Sequence, residues 1–294
     1  MNKVGFIGVG IMGKSMVRNL MKAGFELYIY ARTKSKVEDV IGEGAQFHES
    51  IKDCVQDCDA VITIVGFPQD VEEVYFDEGN ILDSAKEGAY LIDMTTTSPQ
   101  IAEKIYEEGT KRGFHVMDAP VTGGDTGAKA GTLSILVGGE KEDYEACMPL
   151  FEAMGTNINY QGKAGCGQHC KLANQIMIAG TLSGVCEALT YAKEQGLDPE
   201  VFMKSVATGA AGSKQLDTFG PKILKDDYAP GFFMKHFIKD MKLALIEANR
   251  KGLSLDVLSM VLANYEELEQ EGYGDLGTQA LMKFYDEEHR NMEE

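Results

Sequence analysis

Residues 8–13 read Gly8-Val9-Gly10-Ile11-Met12-Gly13, directly after a short β-rich run at 4–7 and directly before a helical stretch at 12–23. A strand that turns over three glycines into a helix at this spacing leaves few alternatives. Gly8 permits the tight turn, Gly10 lets a ligand approach the backbone, and Gly13 allows the helix to pack closely on the strand. The helix that opens here presents unpaired N–H groups and the positive end of its dipole, which suits a pyrophosphate. The pattern with its strand and helix in place is the dinucleotide fingerprint.

The rest of the N-terminal half supports a sheet that could carry such a turn. β-rich runs at 4–7, 27–30, 60–65, 89–93, 115–119, 133–137 and 157–160 alternate with helical stretches at 12–23, 69–75 and 98–112. Alternation of this kind predicts βαβ units and a mainly parallel sheet. Strand signals stop after Gly165. Helical patterns follow at 171–195, after Asp198-Pro199, and at 239–251, 255–270 and 278–291. At about 150 residues per domain the 294 residues fit two domains. The expected architecture is an α/β Rossmann-type N-terminal domain, 1–162, followed by an all-α C-terminal domain, 163–294, serving substrate and oligomerisation.

Charge and composition narrow the partners. A formal net charge of −18 disfavours nucleic acid. The longest uncharged apolar stretch, 172–186, is 15 residues, short of the roughly 18 that would suggest a membrane span. The start of the chain lacks a signal-peptide pattern, and the six cysteines form no C-x-x-C pair. The expectation is a cytoplasmic protein with reduced thiols and no metal. A helix as apolar as 171–195 must be buried, in its own domain or against another subunit, and a homodimer or homotetramer is expected.

The end of the second strand bears on the choice of dinucleotide. An NAD-preferring site usually places an acid there for the ribose 2′-hydroxyl. This chain has Tyr30-Ala31-Arg32-Thr33, with no acid between Glu26 and Glu38. Guanidinium pairs bidentately with phosphate, so Arg32 and Thr33 predict NADP(H) in preference to NAD(H).

Three more segments complete a pattern: Asp118-Ala119-Pro120-Val121-Thr122-Gly123-Gly124, Gly165-Cys166-Gly167-Gln168-His169-Cys170-Lys171-Leu172-Ala173-Asn174, and Lys239-Asp240. With the glycine fingerprint, in this order over the whole chain, they resemble the β-hydroxyacid dehydrogenase family, the group of 3-hydroxyisobutyrate dehydrogenase and tartronate semialdehyde reductase. The resemblance implies that Thr122, Gly123 and Gly124 hold a substrate carboxylate, that Lys171 is the general acid/base, and that Asn174 bonds the substrate near the reacting oxygen. It also implies that Thr96 lies beside the nicotinamide ribose and that Lys239 closes over the cofactor. The expected cofactor-binding set is Gly8, Gly10, Ile11, Met12, Gly13, Arg32, Thr33, Val65, Thr96 and Lys239. Gln175 stands where the family often has a second Asn and is left out of the site.

Read without the family, Lys171 opens a helix whose next fifteen residues are uncharged. Desolvation there lowers a lysine's pKa toward a useful range, although a lysine at a helix start more often snorkels to solvent. His169, two residues earlier, points off that face. The function implied is hydride transfer between NADP(H) and a short hydroxy acid or its semialdehyde, of the 3-hydroxyisobutyrate, D-glycerate or 4-hydroxybutyrate type. Two alternatives stay open: a non-catalytic dinucleotide-binding sensor or scaffold, and a 6-phosphogluconate dehydrogenase-like enzyme.

Overall fold

The computed structural model describes residues 1–286. Contacts divide the chain into two compact units, Met1–Lys171 and Leu172–Glu294. The first holds nine strands: β1 Lys3–Ile7, β2 Glu26–Tyr30, β3 Gln46–Phe47, β4 Ala60–Thr63, β5 Tyr90–Asp93, β6 His115–Asp118, β7 Val121–Thr122, β8 Leu133–Gly139 and β9 Gly155–Gly162. They form one sheet in the order β3-β2-β1-β4-β5-β6-β8-β7, with β9 on β8. β3 to β6 run parallel, β8 is antiparallel to β6 and β7, and β9 is parallel to β8.

The apolar runs are continuous because both faces of the sheet are covered. Val4, Phe6, Ala60 and Ile62 enter a core that receives Met16, Val17 and Leu20 from the helix Ile11–Lys22. Their neighbours Ile7 and Val61 enter a second core with Val71, Val74 and Tyr75 from the helix Pro68–Phe76. The strand order reverses between β1 and β4. In open α/β sheets, ligands bind outside the carboxyl ends of the strands at such a switch point.

The second unit is helical. The long helix Cys166–Glu194 leads into it, followed by Pro199–Val206, Lys214–Ile223, Met234–Arg250 and Asp256–Gln270. Its core joins Leu182, Cys186 and Leu189 with Phe237, Met241, Val261 and Tyr265. By length and hydropathy alone the long helix could cross a membrane, but Leu172, Ala179, Leu182, Cys186 and Leu189 are core residues.

Several elements differ from expectation. β4 ends at Thr63, so Val65 lies in the loop beyond it, where its N–H donates to Thr95 Oγ1 rather than to a strand. The long helix begins at Cys166, five residues before Lys171, and Lys171 is therefore not at its mouth. The helix expected from Lys239 begins at Met234, whose N–H is taken by the remote carbonyl of Leu276. The helix Lys214–Ile223 was not expected, since it contains Gly220 and Pro221. Ser213 caps it by accepting from Leu216 N–H, and Leu216 and Ile223 are buried. The pattern at 278–291 is a 3-10 helix over Thr278–Tyr285, and residues 287–291 lie outside the described residues.

Candidate active site

The three glycines of the first turn have three different surroundings. Gly8 has φ +97°, and a Cβ there would lie 2.1 Å from the Ile64 carbonyl oxygen. A Cβ on Gly13 would lie 2.2 Å from the carbonyl oxygen of Gly8, so close packing excludes any side chain. Around Gly10 nothing comes within 4 Å of such an atom, which leaves open space in front of the helix N-terminus. Gly10 brings no side-chain cap, and the first turn of Ile11–Lys22 contains no acid. The first N–H groups of a helix have no intrahelical acceptor. These residues fit a dinucleotide pyrophosphate: the backbone can be approached at Gly10, and Ile11, Met12 and Gly13 open a helix whose first N–H groups have no intrahelical acceptor.

The two kinds of glycine separate in experiment. Gly13→Ala is expected to destabilise the protein by about 1–3 kcal/mol, the usual cost of overpacking. Gly10→Ala should leave thermal unfolding unchanged while weakening NADPH binding by about tenfold or more. Fluorescence titration and thermal unfolding of both variants check this contrast, and equal effects of the two substitutions on stability would contradict it.

Arg32 is 62% exposed, and its Nη2 lies 2.6 Å from Asp70 Oδ1 and 3.1 Å from Glu73 Oε2. The absence of acids along the chain around Arg32 therefore does not carry over to space. Folding brings Asp70 and Glu73 from the helix Pro68–Phe76, and Lys34 pairs with Glu49 at 3.6 Å. Thr33 is exposed beside Arg32. Asp70 is held in place by its other oxygen, which accepts from Phe67 N–H at 2.9 Å.

At the ends of β4, β5 and β6 a buried network fixes the loops. Asp93 Oδ1 accepts from Thr63 Oγ1 at 2.8 Å and from Thr95 N–H at 3.1 Å, and burial pushes its carboxyl up to about 6. Thr95 Oγ1 accepts from Val65 N–H at 2.9 Å. Gln168 clamps the next stretch: its Oε1 accepts from Thr97 N–H at 2.9 Å and its Nε2 donates to the Thr95 carbonyl at 2.7 Å. Thr96, partly exposed, is held between these two anchors.

Asp118, at the end of β6, secures the start of the long helix. Its Oδ1 accepts from Gly165 N–H at 2.7 Å and its Oδ2 from Gln168 N–H at 2.8 Å. Burial raises this carboxyl, against the two N–H groups, which lower it. Gly167 is required beneath it, because a Cβ there would lie 2.3 Å from the Leu136 carbonyl oxygen. Lys171 follows one turn after Gln168 and is only 7% exposed. Thr122, partly buried, closes β7, and the exposed Gly123 (φ +130°) and Gly124 (φ +63°) make a turn into the helix Gly124–Ala130 with backbone angles that only glycine adopts readily. Asp118 lies four residues before Thr122, so β6 links this turn to the anchor of the lysine helix. His169 is exposed.

A second set of polar residues lies in the helical unit. Asn174 Nδ2 donates to Gln175 Oε1 at 2.8 Å, Gln175 Nε2 donates to Asp240 Oδ2 at 2.6 Å, and Lys239 Nζ lies 3.0 Å from Asp240 Oδ1. Lys239 and Asp240 occupy the second turn of Met234–Arg250 rather than its opening. Sequence reasoning gave Gln168 no role and left Gln175 out of the site. Both lie at helical spacing from Lys171, at i−3 and i+4, and an amide in an otherwise apolar stretch was the available signal.

Comparison with known proteins places these features in context. Residues 3–162 match the family described as the NAD binding domain of 6-phosphogluconate dehydrogenase. Residues 165–285 match the family described as NAD-binding of NADP-dependent 3-hydroxyisobutyrate dehydrogenase. An uncharacterised oxidoreductase of Bacillus subtilis is 50% identical over 96% of this chain and 98% of its own. The NAD-dependent L-serine dehydrogenase of Pseudomonas aeruginosa is 34% identical over 97% of this chain and 98% of its own. The structure of Mycobacterium tuberculosis 3-hydroxyisobutyrate dehydrogenase with L-serine superposes with a TM-score of 0.88 at 26% identity, covering 96% of this chain and 98% of the other.

Proposed function

Because the chain belongs to the β-hydroxyacid dehydrogenase family and is an NAD(P)-dependent hydroxyacid dehydrogenase, we propose that it interconverts a short hydroxy acid and its semialdehyde, with NADP(H) preferred over NAD(H). The observation that carries this reading is Lys171, 7% exposed in a helix whose start Asp118 and Gln168 tie to the strand ends beside the glycine turn. The nicotinamide dinucleotide, when bound, supplies the hydride acceptor or donor. Gly8, Gly10, Ile11, Met12 and Gly13 hold its pyrophosphate, Arg32 and Thr33 its adenine ribose phosphate, and Val65, Thr96 and Lys239 its remaining length.

The protein's own chemistry is a proton transfer and a set of anchors. Lys171 as ammonium gives a proton to the aldehyde oxygen during reduction, and as neutral amine it takes the hydroxyl proton during oxidation. Thr122 Oγ1 and the N–H groups of Gly123 and Gly124 bind the carboxylate, and Asn174 orients the reacting oxygen. An arginine at the end of β2, where NAD-preferring sites usually carry an acid, supports the NADP(H) preference; a 2′-phosphate would take the place of Asp70 and Glu73 on its guanidinium. Residues 1–162 serve as the dinucleotide-binding domain and 163–294 as the substrate and oligomerisation domain. Two large apolar side chains of the long helix, Met177 at 73% and Tyr191 at 67% exposed, support a homodimer or homotetramer. Six free cysteines support a cytoplasmic setting.

The carboxylate anchor is tested by Thr122→Val, which keeps the volume and removes the hydroxyl. A hydrogen bond to a charged group contributes about 1.5–3 kcal/mol, and the loss should appear mainly as a raised KM. Succinic semialdehyde should be turned over far better than an uncharged aldehyde of similar length. Equal turnover of the two, with KM unchanged in Thr122→Val, removes Thr122 from the site.

A further inference from the structure

Gln175 is 2% exposed and uses its amide at both ends, accepting from Asn174 and donating to Asp240. Consecutive helical residues point about 100° apart, so a bond between the side chains of Asn174 and Gln175 is not a default of the helix. Both chains must bend toward each other, and they hold that bend only if something fixes the far end of Gln175. Asp240, fully buried, supplies that fixed point through Oδ2, and its Oδ1 takes the ammonium of Lys239 at 3.0 Å. A buried carboxylate needs both a counter-charge and hydrogen-bond donors; Lys239 brings the charge and Gln175 brings a donor.

We propose that Gln175 and Asp240 form a positioning relay that sets the Asn174 amide and the Lys239 ammonium together, so that orientation of the substrate and contact with the cofactor are established as one arrangement. This rests on the reading of Asn174 and Lys239 as site residues. With one Asn174 N–H committed to Gln175, the amide plane is fixed and its second N–H and its Oδ1 are left for substrate. Without Gln175, the amide can turn over, and Asp240 draws Lys239 more fully to itself.

Two variants test the relay. Gln175→Met keeps the shape and removes both hydrogen bonds. Gln175→Glu restores the pattern only when protonated, because the neutral carboxyl donates its O–H to Asp240 and accepts from Asn174, whereas the ionised form cannot donate and repels Asp240. The groups acting on the new carboxyl are Asp240 and Lys239, His236 one turn before Asp240 on the same helix, and Lys171 one turn before position 175 on its own. Burial and Asp240 raise its pKa; the cations lower it.

The relay predicts that Gln175→Met loses about a hundredfold in kcat/KM and binds NADPH about fivefold more weakly at every pH. It predicts that Gln175→Glu resembles that variant at high pH and recovers toward wild type as the pH falls, by about tenfold or more in kcat/KM and by most of the roughly fivefold loss in NADPH affinity. A purely structural role would lower the stability of both variants without this recovery. NADPH affinity is read by fluorescence and does not depend on turnover. If wild type turns over no hydroxy acid or semialdehyde, the functional reading fails while the titration still decides the relay. Unchanged NADPH affinity in Gln175→Met, or a Gln175→Glu to wild-type ratio that is flat with pH, would overturn it.

Discussion

Replacing Lys171 with alanine is expected to lower kcat by roughly 10²–10⁴-fold, the contribution of a positioned general acid, while leaving NADPH binding nearly intact. Lys171 is 7% exposed, one turn after a glutamine that bonds both sides of Thr96. Its helix start is held by two bonds to Asp118, so the lysine has little freedom to leave the strand ends. Such a group suits proton transfer because it is placed before substrate arrives. The pH dependence has opposite signs in the two directions. Oxidation of the hydroxy acid needs the neutral amine, so its rate should rise with pH until Lys171 is deprotonated. Reduction of the semialdehyde needs the ammonium, so its rate should fall over the same range. Lys171→Met serves as a control for volume. Retention of more than half the wild-type rate in either variant removes Lys171 from the chemistry.

Wild type should favour NADPH in kcat/KM, and Arg32→Asp should shift the preference toward NADH by more than tenfold, about 1.4 kcal/mol. Arg32 is exposed and bound to Asp70 and Glu73, so a 2′-phosphate exchanges one set of anions for another rather than meeting an unpaired cation. The net gain is smaller than for a free guanidinium, but the substitution acts twice. It removes the cation and leaves three acids where the phosphate would lie. It also offers an acceptor to a 2′-hydroxyl. A preference for NADH in wild type, or a ratio unmoved by the substitution, makes Arg32 a surface residue paired with the Pro68–Phe76 helix and nothing more.

Local patterns in the sequence carried most of the first unit. The seven longer strands declare themselves as β-rich runs, and the roles of Gly8 and Gly13 follow from their spacing. β3 and β7 have two residues each, too few to show any period. What escaped was supplied from a distance. The long helix starts early because Asp118, 47 residues before Gly165, accepts its first N–H groups. Met234–Arg250 starts early because the Leu276 carbonyl does the same for Met234. The acids on Arg32 come from 38 and 41 residues away. Gln168 and Gln175 look like ordinary polar positions in an alanine-rich helix, and only the fold shows that both ends of each amide are in use.

The function proposed is hydride transfer between a nicotinamide cofactor and a short hydroxy acid or semialdehyde. Its most direct test follows NADPH and NADH oxidation by the wild-type protein with glyoxylate, succinic semialdehyde, tartronate semialdehyde and methylmalonate semialdehyde, and the reverse reaction with L-serine. At least one of these carboxylates should be turned over, faster with the phosphorylated cofactor, and the activity should disappear in Lys171→Ala. Tight NADPH binding with no turnover of any of them, in either direction, would contradict the claim.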